Sequence, residues 1–230
     1  MNEQIVNDKG KIMDRQNSQR PKKSPATMAR AFWDDRFGTA DYAYGTAPND
    51  FLKEAYHHIL PAGKILCAAE GEGRNAVFLA QNNFTVSAVD ISAVGKKKTE
   101  RLASEHQVSI DYTVCDLDLF DFGESQWDAI VSIFGFVGTC RATRKPAFER
   151  IYKALKPGGV LIVEAYHPRQ IEYKTGGPKD PELFIALDEL KSAFKIGRIL
   201  HQTELERKVV EGSFHTGNAY VTQFVYVKPT

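Results

Sequence analysis

The sequence predicts an α/β fold with a doubly wound, mostly parallel sheet of seven strands and helices on both faces. Short β-rich runs alternate with helical stretches from residue 32 onward. A strand, a crossover helix and a further strand in this order favour parallel pairing with right-handed connections. Two late β-rich runs follow each other without a helix and predict a C-terminal antiparallel hairpin strand. A chain of 230 residues can bury one core, so we expect a single Rossmann-like domain.

The first strand leads into the most informative turn of the chain. An apolar run at residues 64–68 is followed by Gly71 and Gly73, which allow a sharp bend and close approach of a ligand before a helix begins. This spacing also fits the dinucleotide fingerprint. However, Glu70 and Glu72 flank the turn and would repel a pyrophosphate. They would attract a ligand with an ammonium and a sulfonium, such as S-adenosylmethionine (SAM).

The second and third strands each end at an acidic residue. The run at 84–89 ends in Asp90, which lies 17 residues after Gly73 (73 to 90), close to the spacing of an acid that binds ribose hydroxyls. The run at 108–114 is followed by Asp116, which we expect to accept from an adenine amino group. The alternative for both acids is a helix cap or a turn.

The remaining elements follow in order. A fourth run ends at Phe134, and a helix is predicted from about Lys145. The turn at 156–159 stops this helix and starts a fifth strand. Late runs at 198–210 and 219–227 close the sheet as a hairpin.

Two stretches fall outside this alternation. Residues 1–28 are polar with little periodic apolar content, and we expect a disordered tail before a domain at residues 29–230. The connection between Tyr166 and Leu183 is rich in Gly and Pro, and we expect a substrate-side loop.

Four landmarks occur in order: the loop 70–73, Asp90, Asp116 and the turn 155–159. With them the chain resembles the class I SAM-dependent methyltransferases over roughly residues 30–228. The flanking segments are similar to the branch of tellurite-resistance and thiopurine-type small-molecule methyltransferases: residues 32–37, 42–52, 164–168 and 175–180. The chain departs from that family at Cys67, where an acid is usual, and at Ala69, where glycine is usual.

The resemblance implies SAM as the methyl donor and S-adenosylhomocysteine (SAH) as the product. Glu70 would take over the acidic role missing at Cys67. Alternatives remain for Trp33, which could pack on the core, and for Arg74, which could face solvent, pair with Glu72 or hold the cofactor's carboxylate. The predicted cofactor-binding residues are Trp33, Tyr44, Glu70, Gly71, Gly73, Arg74, Asp90, Ile91, Asp116, Leu117 and Phe134.

The expected acceptor is a small molecule. The Asn/Asp-Pro-Pro-aromatic motif of amide-nitrogen methylation does not follow the fourth strand, and the lysine run 96–98 is expected to be a solvated helix face. A thiol, a selenol or a metalloid oxyanion needs little acid–base chemistry, whereas an amine or a hydroxyl needs a base. Candidates for that base are Tyr166, His167 and His215.

Composition limits the other functions. The net charge of +1 gives no reason to expect nucleic acid or membrane as a partner, and three cysteines show no metal or disulfide spacing. Without an apolar signal segment, we expect a cytoplasmic monomer or homodimer. Two alternatives to a methyltransferase stay open: a cofactor-binding protein without transfer activity, and an NAD-dependent oxidoreductase, which the acidic loop disfavours.

Overall fold

The structure, a computed structural model, describes residues 24–135, 141–173 and 175–230. It confirms the predicted fold class, with a seven-stranded sheet in the order β3-β2-β1-β4-β5-β7-β6. The strands are β1 Lys64–Ala68, β2 Thr85–Asp90, β3 Asp111–Val114, β4 Trp127–Ile133, β5 Leu155–Tyr166, β6 Arg198–Glu211 and β7 His215–Val227. The helices in the described residues are α1 Pro25–Arg36, α2 Asp50–Ala55, α3 Arg74–Gln81, α4 Ala93–Glu105, α5 Arg141–Ala154 and α6 Leu187–Ala193.

Alternation along the central strands divides the core into two layers. In β1, Leu66 packs with Phe148 of α5 and Leu190 of α6 on one face of the sheet. Its neighbour Ile65 packs with Leu79 of α3 on the other face. Successive residues of a strand point to opposite faces, so one buried strand serves both layers. Strands β1 to β5 pair in parallel, and the switch in strand order falls between β1 and β4.

The C-terminal hairpin closes the sheet beside β5. Strand β7 pairs antiparallel with β5 and with β6, as the sequence predicts. Strands β6 and β7 extend beyond the predicted runs and bring Glu211 opposite His215 at the turn. That turn packs on the loop after α1, where the Phe214 amide donates to the Ala43 carbonyl at 3.3 Å. The hairpin therefore reaches from the sheet edge to the N-terminal segment.

Several boundaries differ from the sequence predictions. Helix α1 begins at Pro25, capped by the Ser24 side chain, so the last residues assigned to the tail are helical, and residues 1–23 lie outside the described part. The turn at 156–159 falls within β5, which starts early and shifts its register against β4 there. The predicted substrate-side loop contains two short 3₁₀ helices, Pro168–Glu172 and Pro181–Leu183.

Candidate functional site

A cavity of about 820 Å³ lies beyond the carboxyl ends of the parallel strands, the edge where open α/β sheets bind ligands. This volume is near the upper end of the roughly 300–1,000 Å³ of small-molecule sites, which leaves room for two ligands. Most of the predicted cofactor residues line it: Trp33, Tyr44, Glu70, Gly71, Arg74, Asp90, Ile91, Asp116, Leu117 and Phe134. Tyr166 and His215 line it too, whereas Gly73 and His167 are not among the described lining residues.

The two loop glycines have different roles. Gly71 lines the cavity with φ +66°, and its amide donates to Asp90 Oδ2 at 3.1 Å. Gly73 has φ +95° and lies against α4, where an added Cβ would be 2.6 Å from Thr99 Cγ2. Helix packing and backbone conformation therefore require glycine at position 73, and its contact with a cofactor stays a prediction.

Glu70 caps helix α3. Its Oε1 accepts from the Asn75 amide at 3.0 Å and from the Ala76 amide at 2.8 Å. Burial raises the pKa of Glu70 to about 7, and these two amides and the Arg74 charge oppose the rise. The amides at the start of α3 are thus already bound to a carboxylate of the protein, so they are not free for a phosphate.

The two strand-end acids are held by backbone donors. Asp90 Oδ1 accepts from the Ser92 amide at 2.8 Å while Oδ2 accepts from Gly71, and burial raises the pKa of Asp90 to about 6. Asp116 is half-buried, and its Oδ1 accepts from the Asp118 amide at 3.0 Å. The turn role considered for these acids is therefore present together with their place on the cavity wall.

Arg74 pairs with the C-terminal hairpin. Its Nη2 donates to Glu211 Oε2 at 2.6 Å, and both side chains are more than nine-tenths buried. Its Nη1 is buried without a hydrogen-bond partner in the described structure. The considered pairing of Arg74 with Glu72 and its exposure to solvent are both wrong. A buried guanidinium nitrogen without an acceptor is unusual, and Nη1 is suited to an anionic or carbonyl group of a ligand.

Glu72 pairs instead with Lys98 of α4. Lys98 Nζ donates to Glu72 Oε1 and to the Asp41 carbonyl, both at 2.7 Å. The Lys98 side chain is 9% exposed, so the prediction of a solvated lysine face is wrong at this position. Lys97 is exposed and fits that prediction.

A buried polar network below the cavity was not predicted from the sequence. Asn49 Nδ2 donates to Glu164 Oε2 at 2.6 Å and to Glu211 Oε1 at 2.8 Å. Arg207 donates to Glu164 at 2.9 and 2.7 Å and to Glu211 at 3.0 Å. Because Glu211 also binds Arg74, this network links the N-terminal segment, α3, β5 and the hairpin. The sequence signal was an acid, Glu164, within the otherwise apolar run of β5.

Helix α1 lies across the mouth of the cavity. Trp33 stacks on Phe37 with ring centroids 5.5 Å apart and also lines the cavity, and its contact with a cofactor stays a prediction. Asp34 Oδ1 accepts from the Ser92 hydroxyl at 2.6 Å and fixes the helix to the start of α4. Arg36 Nη1 donates to the Tyr44 hydroxyl at 3.3 Å and orients that ring over the site.

The end of the cavity where the candidate bases Tyr166 and His215 lie is rich in aromatic rings; we call it the acceptor end. Phe134, with φ +54°, lies 4.6 Å from the Tyr166 ring and 4.8 Å from the His215 ring by centroid. Gly177 lies against Tyr166, where an added Cβ would be 2.9 Å from Cδ2. The glycine-rich segment therefore packs closely on the ring that closes this end of the cavity.

His167 is placed away from these groups. Its Nδ1 accepts from the Arg169 amide at 3.1 Å and caps the 3₁₀ helix that follows. Its Nε2 lies 3.3 Å from Glu204 on β6. The structure does not bring His167 together with Tyr166 and His215 on the cavity wall.

Residues 24–135, 141–173 and 175–230 provide neither a metal cluster nor a membrane-spanning helix. They contain no cluster of three or more His, Cys, Asp or Glu side chains arranged for a metal ion. No helix among them is long and apolar enough to cross a bilayer. Cys67 and Cys115 are free thiols, and Cys140 lies outside the described residues.

Part of the chain is similar to a known family. Residues 65–159 match the family model described as a methyltransferase domain. This match runs from β1 into β5. Among curated proteins, no sequence matches the chain significantly.

Solved structures resemble the whole methyltransferase fold at low identity. TehB from Haemophilus influenzae is 17% identical, with a TM-score of 0.65 over 86% of this chain and 66% of that one. Magnesium protoporphyrin IX methyltransferase (ChlM) from Synechocystis PCC 6803, solved with bound SAH, is 14% identical, with a TM-score of 0.63 over 89% and 100%. A protein from the conversion of a disulfide bond into a thioacetal group during echinomycin biosynthesis is 16% identical, with a TM-score of 0.69 over 87% and 92%. The domain thus has the class I SAM-dependent methyltransferase fold.

Proposed function

We propose that this methyltransferase domain binds SAM in the cavity and transfers its methyl group to a small-molecule acceptor. The observation that carries the proposal is the unpaired, buried Nη1 of Arg74, on the same cavity wall as Asp90 and Asp116. Nη1 is suited to the carboxylate of the methionine part, because a guanidinium binds carboxylates with directed donors. Asp90 is suited to ribose hydroxyls, and Asp116 to the adenine amino group.

The occupied amides of α3 argue against a dinucleotide. A pyrophosphate needs free amides at the helix start, but Glu70 accepts from two of them and Asp90 accepts from Gly71. A carboxylate at this place favours a ligand with positive charge. NAD-dependent oxidoreduction is therefore the weaker proposal.

Methyl transfer requires a bound acceptor besides the cofactor. The sulfonium of SAM supplies an activated methyl group, so the protein has to place an acceptor in line with it. Phe134, Tyr166 and His215 form a wall suited to that acceptor, and a thiol or a metalloid is the class we infer. A cofactor-binding protein without transfer activity would not need this wall for an acceptor.

Calorimetric titration with SAM, SAH and NAD tests the proposal. We expect the first two to bind and NAD not to bind. Asp116→Asn should weaken binding of SAH. The adenine amino group is a hydrogen-bond donor, and the asparagine side chain can present a second donor to it where the carboxylate presents only acceptors. The matched control is Asp111→Asn, at the exposed beginning of β3, the strand that precedes Asp116, and it should leave the affinity unchanged. Binding of NAD alone would contradict the proposal.

A further inference from the structure

His215 lines the cavity and forms an ionisable pair with Glu211, which is not a lining residue. His215 begins β7, and its ring lies against three aromatic rings, with centroids 4.5 Å from Tyr44, 4.8 Å from Phe134 and 5.4 Å from Tyr166. The side chain is 9% exposed and lines the cavity. Its neighbour across the hairpin is Glu211.

Glu211 lies on the Nδ1 side of the His215 ring. Glu211 Oε2 lies 3.5 Å from His215 Nδ1, which is enclosed and has no closer partner. At this distance the contact is longer than a regular hydrogen bond, as catalytic contacts often are before ligands bind. Because Nδ1 lies on the Glu211 side of the ring, Nε2 is the nitrogen left to face the cavity.

Nearby cations keep Glu211 ionised, and burial keeps His215 neutral. Burial alone would raise the pKa of Glu211, but the contacts with His215 and Arg74 and the charge of Arg207 hold it well below its usual range. Burial lowers the pKa of His215, and the nearby Glu211 opposes that effect. An ionised carboxylate at Nδ1 selects the tautomer with its proton there, which leaves a lone pair on Nε2.

Tyr166 has the opposite character. Burial, together with the charges of Glu211 and Glu164, raises the pKa of its hydroxyl, so the hydroxyl keeps its proton. Its oxygen lies beside the glycine-rich segment, where an added Cβ on Gly176 would be 2.7 Å away. The acceptor end therefore presents a hydrogen-bond donor from Tyr166 and a base from His215.

We propose that His215 Nε2, oriented by Glu211, takes the proton from the methyl acceptor while the Tyr166 hydroxyl hydrogen bonds to it. Of the two acceptor classes inferred above, a thiol and a metalloid, only the thiol carries an ionisable proton on its reacting atom, so the base narrows the acceptor to a thiol. A thiol needs less help than an amine or a hydroxyl, but with an ordinary pKa of about 8.5 it is mostly protonated at neutral pH and reacts as the thiolate. In the step, the bond from the acceptor atom to hydrogen breaks and the proton moves to Nε2. The new bond to the methyl carbon forms as the methyl–sulfur bond breaks, and that electron pair stays on the sulfur of SAH. This inference rests on the proposed function, because it needs a methyl donor in the same cavity.

The test reads the imidazole directly and needs no acceptor. In ¹⁵N-histidine-labelled full-length protein saturated with SAH, long-range ¹H–¹⁵N spectra report the tautomer of each of the six histidines. His215→Gln identifies the signal, and His167→Gln is the matched control. At pH 7.5 we expect His215 to be neutral with its proton on Nδ1. A proton on Nε2, or an imidazolium, would overturn the proposal.

A second variant separates orientation by Glu211 from packing. Glu211→Gln should move the proton of His215 toward Nε2, since the carboxylate that selects Nδ1–H is gone, and a tautomer that does not change would overturn the role of Glu211. If Glu211→Gln does not fold, the tautomer of His215 in the wild-type protein decides whether the proposal stands.

The ionisable and charged groups that face His215 are Glu211, Arg74, Glu164, Tyr44 and Tyr166.

The outcomes distinguish this inference from the proposed function. If SAH fails to bind in calorimetry, the proposed function fails, whatever the tautomer of His215. If SAH binds and His215 has the wrong tautomer, only the proton transfer fails. Methyl transfer from SAM to selenite that His215→Gln leaves unchanged would also overturn the assignment of the acceptor class.

Discussion

Arg74 Nη2 lies 2.6 Å from Glu211 Oε2, although the two residues are 137 positions apart. The contact joins the first residue of α3, beside the glycine turn, to the last residue of β6, beside the acceptor end. Glu211 in turn holds His215 and Arg207. One ion pair therefore connects the two halves of the cavity, and it orients the guanidinium nitrogen that we assign to the cofactor.

Arg74→Lys should weaken SAM binding with a small effect on folding. A lysine can keep the charge opposite Glu211 but cannot supply a second directed donor. A charged hydrogen bond contributes about 1.5–3 kcal/mol, so we expect an affinity roughly 10- to 150-fold lower in calorimetry. Arg101→Lys, on the exposed face of α4, is the control and should bind SAM normally. Equal affinity in both variants would remove Arg74 from the cofactor site.

Lys98→Met should destabilise the fold far more than Lys97→Met. The first leaves Glu72 buried without its cation, which costs about 3–5 kcal/mol for a broken buried pair. The second changes an exposed position of the same helix. Urea unfolding of the two variants measures the difference. If combining Lys98→Met with Glu72→Gln does not restore stability, the loss does not come from the unpaired carboxylate.

Gly73→Ala should destabilise the protein more than Gly158→Ala. Both glycines have a positive φ, +95° and +74°. An alanine at either position is therefore destabilised by about 1–3 kcal/mol, because its side chain disfavours the left-handed backbone conformation. At Gly73 the new Cβ also meets Thr99, whereas at Gly158 its nearest neighbour is 3.7 Å away. Thermal unfolding should show the larger loss at position 73. Equal losses of stability would mean that Thr99 moves away from the added Cβ at no cost.

Binding of SAM should release protons near pH 6.5. In the free protein the pKa of Glu70 is about 7 and that of Asp90 about 6, so both carboxyls are partly protonated there. Ribose donors and the positive charges of SAM favour the carboxylates, lower both pKa values and drive protons into solution. Calorimetry in phosphate and in Tris should therefore give different binding enthalpies at pH 6.5. The difference should vanish at pH 8.5, where both groups are already ionised, and its absence at both pH values would contradict these assignments.

Local patterns of the sequence were sufficient to predict the architecture of the sheet. The glycine turn after β1 and the acids after β2 and β3 are each readable within one strand and its loop, because parallel strands end at one edge of the sheet. Lys98 was also readable in principle. It lies three residues after Gly95 and four before Leu102, on the buried face of α4, but the lysine run concealed that spacing.

Apart from the acid Glu164 within an apolar strand, no local pattern of the sequence indicated the polar network. Asn49 reaches Glu164 and Glu211 across 115 and 162 positions, and no periodicity or spacing rule relates such residues. The partners of Arg74 and Glu72 depend in the same way on how the hairpin and α4 pack. The ligand roles of the cavity residues stay predictions, since a favourable place on a wall does not identify what binds there.

The structure of the SAH complex is the most direct test of the central claim. We predict the SAH carboxylate within hydrogen-bond distance of Arg74 Nη1, the ribose hydroxyls at Asp90 and the adenine amino group at Asp116. The sulfur should face the end formed by Phe134, Tyr166 and His215. A carboxylate placed away from Arg74, with Nη1 still unpaired, would contradict the account.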